Sequence, residues 1–348
     1  MIFLGDVAHP FATAPDWSSL NEVLNGEPVV LNLEGALTSD IGLRSEPKLF
    51  NHVSVLDAMR KIGTRIVCLA NNHITDIDQG AAITANRLQE EDMLPVGAGA
   101  NLRNAAAPRE FVRNGRTYIF VAFGWPTIQC VPAGDTNEGV NPLDPAHVIE
   151  TISYLRRSGP DHVIIAMFHW NIELERYPQP AHRQLAFSVI ESGANAVIGH
   201  HPHCVGGFEM YRDCPIAYSL GDWWIPHRVF FDGKLSFPDY TLPQIAFDWD
   251  IGRAPLLHWF EYERETHAIS YRRSESLVSD SGPTEHTPFA GLSQKEYRKW
   301  FRRHRVKRKG LPIYSDFRAT MRNDLRDRFI GGRHIMISLI RSFSGKAI

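Results

Sequence analysis

Five short apolar runs in this sequence end in side chains that bind metals or move protons. Ile2-Phe3-Leu4 leads into Gly5-Asp6 with His9 close behind, Val29-Val30-Leu31 into Asn32-Leu33-Glu34, and Ile66 to Ala70 into Asn71-Asn72-His73. Val163 to Phe168 leads into His169-Trp170-Asn171-Ile172-Glu173, and Ala196 to Ile198 into Gly199-His200-His201-Pro202-His203. Each piece alone has an ordinary explanation. An Asp after a strand is commonly a turn residue or helix cap, Asn pairs tolerate left-handed turns, and a single His is usually no more than a polar side chain. His201-Pro202-His203 is sharper, because two imidazoles two positions apart in an extended segment point the same way and the proline restricts the geometry between them. Repetition carries the most weight. In an α/β sheet the carboxyl ends of the strands line the crevice where ligands bind, so residues as far apart in sequence as Asp6 and His203 can converge there. Carboxylates, imidazoles and amide oxygens in one set suit Mn, Fe or Zn, whereas an all-oxygen set suits Mg or Ca.

The elements that must position these residues are the runs themselves, each of strand length and rich in β-branched or aromatic side chains; Tyr118-Ile119-Phe120-Val121 is another. Between them lie segments with helical spacing: Asp78 to Glu91, Pro145 to Arg157, and Ala181 to Ser192, where Leu185, Val189 and Ile190 share a face. Alternating strand and helix predicts an α/β domain with a covered sheet over about residues 1–225. Gln244 to Trp249, His258 to Tyr262 and Ala268 to Tyr271 read as antiparallel strands that close the domain near residue 273. The stretch from Ser274 to Gly291, rich in Ser, Thr, Gly and Pro, reads as a linker over 274–294 ahead of an extension over 295–348.

Composition excludes several classes. With 348 residues, 43% hydrophobic and 22% charged, the chain is neither disordered nor fibrous. No run approaches the roughly 18 apolar residues of a membrane span, and the N-terminus lacks the basic lead and apolar core of a secretory signal, so the sequence reads as cytoplasmic. Cys68, Cys130, Cys204 and Cys214 are too scattered for a thiolate zinc site or a disulfide framework. Charge is unevenly spread: residues 295–348 hold 16 Lys and Arg against 4 Asp and Glu, a net +12, whereas the first 294, with 21 basic and 35 acidic residues, come to −14. Tyr297, Trp300, Phe301 and His304 share one helical face while Arg298, Arg302, Arg305 and Lys309 lie elsewhere. Such a helix either lies on an anionic membrane or polymer or packs against the acidic body.

The motifs resemble the CapA, or capsule-synthesis (PgsA-type, poly-γ-glutamate-related), family, whose fold is that of calcineurin-like metallophosphoesterases. The matching segments are Gly5-Asp6-Val7, Asn32-Leu33-Glu34-Gly35, Leu69 to Asp76, Gly97-Ala98-Gly99, His169 to Glu173, Val197 to His203 and Tyr218-Ser219-Leu220-Gly221, in the family's order. The resemblance covers about residues 1–225 and implies an α/β β-sandwich flanked by helices; the basic, helical C-terminal extension is read from charge and spacing alone. It also implies a site for two divalent ions held by Asp6, Glu34, Asn72, His169, His201 and His203, with Glu34 where the superfamily usually bridges with Asp. His73 then serves as proton donor to the leaving group, and Glu173 acts with it or binds substrate. His9, Asn71, Asp76, Trp170 and His200 are candidates for lining or supporting the site. Three departures stand out: His9 follows Asp6 by three positions instead of two, Asn171 replaces a usual Gly, and Asp222 replaces a usual Asn. Family members of polymer-exporting systems usually carry an N-terminal anchor, whereas this sequence starts at its first strand. The implied function is a metal-dependent hydrolase of phosphoester or γ-glutamyl/amide bonds in capsule or cell-surface polymer biosynthesis, with an anionic polymer or small molecule as substrate. The alternatives are a non-catalytic polymer-binding or assembly subunit and, third, a two-metal nuclease, which the acidic body disfavours by repelling a phosphate backbone.

Overall fold

The apolar runs become parallel strands buried on both faces, as strands must be when helices cover one side of a sheet and a second sheet covers the other. The computed structural model describes residues 1–277, 287–306 and 310–344. One sheet has the strand order Ile269–Ser276, Leu256–Tyr262, Pro243–Asp248, Ile2–Val7, Val29–Leu33, Thr64–Cys68, Leu94–Val96, with Asp222–Trp224 joining in parallel at the end of Ile2–Val7. The other runs Phe208–Tyr211, Cys214–Ala217, Ala196–His200, Val163–His169, Arg116–Gly124, Arg109–Arg113. The first is antiparallel from Ile269–Ser276 to Ile2–Val7 and parallel from there to its other edge at Leu94–Val96, whereas the second is parallel at the centre and antiparallel at both edges. They share one apolar core, in which Phe208 of the second sheet stacks on Phe247 of the first. The helices Gly80–Glu90, Pro145–Ser158 and Pro180–Glu191 pack on the flanks. The second of these starts at an Asp144 cap with proline in its first turn and stops at Gly159. The expected α/β sandwich flanked by helices is the fold observed.

The C-terminal third departs from the expected linker and appendage. Ser274 to Ser276 finish the edge strand, because the Leu256–Tyr262 strand offers them a pairing partner that local composition does not reveal. Residues 278–286 of the linker and Lys309 lie outside the described residues. Beyond them the chain returns to the body: Phe289 is fully buried, and the Thr287 hydroxyl accepts a hydrogen bond from the Phe208 amide. The helix Gln294–His304 opens with a Ser293–Glu296 capping box. Its aromatic face turns inward, with Tyr297 and Phe301 fully buried and Trp300 edge-on to Tyr177 at 4.7 Å. The buried Arg183 ties this segment down, donating twice to Glu209 and once to the Leu292 carbonyl. Of the two sequence readings of that face, packing against the body is the one observed.

Farther along the chain, Phe317 closes over His182 inside the protein. Trp125, Trp170 and Phe317 surround the ring at centroid distances of 4.6, 5.2 and 5.2 Å, and neither ring nitrogen has a hydrogen-bond partner. Burial lowers its pKa from 6.5 to about 3, so the folded state holds the ring neutral while the unfolded chain takes up a proton below 6.5. The stabilising contribution is complete above pH 6.5 and is lost as pH falls toward 3. His182→Leu is therefore expected to flatten the pH dependence of unfolding free energy between about pH 5.5 and 4 by roughly 1.4 kcal/mol per pH unit. Denaturant titrations across that window check this; an unchanged slope rules it out.

Candidate metal centre

The carboxyl ends of the central strands of both sheets meet, and five of the predicted ligands are buried there. Asp6, at the end of Ile2–Val7, accepts from the Asn32 amide nitrogen at 2.8 Å on one oxygen and from the His201 backbone at 3.0 Å on the other. Gly5 makes this junction possible, since a Cβ there would lie 2.0 Å from the Gly221 carbonyl oxygen and hold off the strand that carries Asp222. Glu34 sits at the middle, fully buried, and neither carboxylate oxygen has a hydrogen-bond partner. Its Oε1 is 3.8 Å from His169 Nε2 and its Oε2 is 3.8 Å from His203 Nδ1. Around it the donors form two groups, Glu34 with His169 and His201, and Asp6 with His203 and Asp222, the ligand atoms of each lying within 4.8 Å of one another.

Burial and mutual repulsion set the electrostatics. Burial raises the Asp6 carboxyl from 3.8 to about 7 despite the neighbouring His203 ring. It drives Glu34 well above the usual range, with Asp6, Asp222 and Glu173 adding to the rise. For His203, burial opposes the charged form, but the carboxylates of Glu34, Asp222 and Asp6 outweigh it and hold the ring's pKa well above 6.5. His169 is pushed well below 6.5 by burial and then by the adjacent imidazoles, so it is neutral and able to ligate. Carboxylates crowded together in the interior call for a compensating cation. The donor set fits divalent metal: a buried carboxylate with two unpartnered oxygens has an imidazole nitrogen 3.8 Å from each of them, a spacing that donors sharing an ion through bonds of about 2.1 Å can adopt.

The remaining predicted residues separate into those that serve this centre and those that do not. Asn72 accepts from His169 Nε2 at 2.7 Å. His73 lies at the mouth with Nδ1 2.6 Å from Asp76 Oδ2 and Nε2 4.0 Å from Glu34 Oε1. Asp76 also accepts from the Leu49 amide, so its carboxylate is fixed from two sides. Asn71 braces the loops, accepting from the Gly35 and His73 amides and donating to the Leu33 carbonyl. Glu173 is half-buried and near enough for its charge to raise both Glu34 and Asp222.

Three candidates are occupied elsewhere. His9 is buried, but its Nε2 meets the Thr13 carbonyl at 2.8 Å and the Ser54 hydroxyl at 3.2 Å while Nδ1 accepts from Trp224; the chain turns away after Val7 and leaves neither nitrogen for a ligand. Trp170 donates to the Tyr218 carbonyl and stacks on Phe168 at 4.5 Å, which makes it core. His200 reaches the Leu4 carbonyl at 3.4 Å and links the two sheets instead of entering the centre. His201 and His203 do converge, but not through an extended chain: their φ values are +98° and +55°, and Asn171 and Leu174 opposite are also positive, a concentration of unfavourable backbone at one place.

Two contributors went unassigned from sequence. Asp222 accepts from His203 Nδ1 at 2.8 Å and completes the second donor group; an acid in place of the family's usual Asn was the signal. Asn32 relays support from Asn71 to Asp6, and its place near the end of the strand that leads into Glu34 pointed to it.

The fold and these two donor groups define an α/β sandwich with a carboxylate–imidazole centre at the strand ends. A family profile described as "Bacterial capsule synthesis protein PGA_cap" matches residues 6–225, and the chain belongs to that family. It is 28% identical over 190 residues to the capsule biosynthesis protein CapA of Bacillus anthracis, an alignment covering 54% of this chain and 45% of that protein. It is 31% identical over 177 residues to the PGA biosynthesis protein CapA of Bacillus subtilis, covering 50% and 45%. A probable polyglutamine synthesis accessory protein of Mycobacterium tuberculosis is 27% identical over 205 residues, covering 56% and 54%. The chain thus spans about half the length of the curated relatives it matches. Among solved structures, a 5'-nucleotidase precursor from Thermus thermophilus aligns at a TM-score of 0.40 and 13% identity, covering 80% of this chain and 54% of the other. The NAD nucleotidase of Haemophilus influenzae aligns at 0.39 and 11%, covering 97% and 60%.

Proposed function

We propose that this chain is a dinuclear metal-dependent hydrolase that cleaves a phosphoester or a γ-glutamyl/amide bond in capsule or cell-surface polymer biosynthesis. The observation that carries the reading is Glu34, a buried carboxylate with both oxygens unpartnered and one imidazole group beyond each. Glu34, Asn72, His169 and His201 would hold one ion and Asp6, His203 and Asp222, with Glu34 beside them, the other; the nitrogen donors would favour Mn, Fe or Zn. What such ions supply is Lewis acidity and a water acidified toward neutrality. The chain's own part is to fix the ligands, exclude bulk water from the buried carboxylates and deliver a proton. His73 would deliver it, a role supported by its Nδ1 lying 2.6 Å from Asp76 Oδ2 and its Nε2 4.0 Å from Glu34 Oε1. The family's link to capsule synthesis and its poly-glutamate-related members support a polymer or its fragments as substrate.

Elemental analysis of the purified, metal-loaded protein tests this together with a panel of phosphoester and γ-glutamyl substrates. About two transition-metal ions per chain are expected, with turnover of one substrate class, and His203→Ala is expected to lose metal while keeping its circular dichroism spectrum. Folded protein that takes up no metal at neutral pH refutes the reading. Metal binding with no turnover on either class moves the chain to the assembly role.

A further inference from the structure

The described side chains of the helix Thr320–Ser344 form two faces of opposite character. One is anchored: Ile330 is buried, Asn323 donates to the Asp316 carbonyl at 2.9 Å, and Asp327 accepts from Thr127 at 2.8 Å and Tyr314 at 2.6 Å. The other carries Met321, Leu325, Phe329 and Met336, exposed by 78, 63, 53 and 59%. At about 100° per residue these four fall within an arc of roughly 80°, with Arg322 and Arg333 along one border and Arg328 along the other. All three arginines are exposed. Four large apolar side chains in one stripe do not stay in water without reason.

We infer that this stripe is where the protein lies on an anionic lipid surface, with the helix axis parallel to the membrane. Charge decides the occupant. A second copy would set these arginines against their own counterparts, whereas anionic headgroups meet them while the apolar side chains enter the acyl boundary. The basic segment 295–348, at net +12 against −14 for the rest, orients the acidic body away from the surface. Among the described residues no helix is long and apolar enough to cross a membrane, so the contact is interfacial. The aromatic face of the Gln294–His304 helix, buried against the body, leaves this role to the later helix.

Flotation of the full chain with phosphatidylcholine vesicles, with and without phosphatidylglycerol, tests the inference. Binding is expected only with phosphatidylglycerol and should weaken at high salt. Leu325→Glu with Phe329→Glu should lower partitioning at least about tenfold with the melting temperature unchanged, since both side chains face solvent. Arg322→Glu with Arg333→Glu should abolish the salt dependence along with most of the binding. Wild-type protein that fails to float at low salt, or a Leu325/Phe329 variant that floats as wild type does, overturns the inference. So does a dimer, seen by sedimentation, that the Leu325/Phe329 variant dissolves while neither protein binds vesicles.

Discussion

Glu34→Gln is expected to raise the melting temperature of the metal-free protein and, in the same molecule, to abolish the further rise that divalent metal produces. Without metal, Glu34 is a buried carboxyl with no hydrogen-bond partner, close to Asp6, Asp222 and Glu173. Its pKa in the folded state lies well above 4.5, so its contribution to stability is complete below pH 4.5 and is lost as pH rises through the folded value. Asp6, raised from 3.8 to about 7, behaves in the same sense. A neutral amide of equal shape removes the penalty at Glu34, a gain on the order of 1–3 kcal/mol near neutral pH and a shift of a few degrees. With metal the sign reverses. Ions that bind only the folded state stabilise it in proportion to the logarithm of their concentration, and the amide of the variant offers them one weak oxygen in place of a bridging carboxylate. On the proposed function, metal would supply several kcal/mol of transition-state stabilisation, and turnover should fall by about 10³-fold or more. Thermal denaturation with and without Mn or Zn reads both effects. A variant less stable than wild type without metal, yet equally stabilised by it, would show Glu34 to be an ordinary structural acid.

That opposition between stability and function explains which parts of the site were legible in the sequence. Strands buried on both faces must be apolar throughout, so Val29–Leu33, Val163–His169 and Ala196–His200 stood out as runs, and the residues ending them had to share one edge. Asp6, Glu34, Asn72, His169, His201 and His203, the set implied by the family resemblance, gather at that edge. What the pattern could not convey was where a chain goes once its strand ends. His9 is only three residues past Asp6, yet Thr13, Ser54 and Trp224, one of them distant in sequence by more than 200 positions, take both its nitrogens. Asp222 was visible only as an oddity because its strand joins Ile2–Val7 across the whole length of the domain. The convergence of His201 and His203 was anticipated for the wrong reason, since left-handed backbone, costly for a residue with a Cβ, brings the rings together. At the two described ends of the stretch read as linker the reason is similar: Ser, Thr and Gly report low intrinsic preference for structure, not the pairing partner of Ser274 to Ser276 or the apolar pocket for Phe289 that a folded body supplies.

His73→Ala is expected to lower kcat by roughly 10²- to 10⁴-fold on a substrate with a poor leaving group while leaving metal content and melting temperature close to wild type. The backbone after Asn72 turns the two side chains apart: Asn72 reaches His169 inside, and His73 stays at the mouth, about a fifth exposed, where substrate can reach it. Asp76, at 2.6 Å from Nδ1, takes the hydrogen bond on that side of the ring and fixes its orientation, so that Nε2 faces the centre with the proton to be given up. Removing the ring leaves all the metal donors in place. Asp76→Asn keeps the ring but weakens the hold on it, and should cost less than His73→Ala on the same substrate. Activated leaving groups need no proton, so with them both variants should approach wild-type kcat. Asn72→Ala, by contrast, removes a donor and should impair both substrate types together with metal occupancy. Full turnover by His73→Ala on the poor leaving group at saturating metal would dismiss the acid assignment, and an equal defect on both leaving groups would make His73 a binding residue instead.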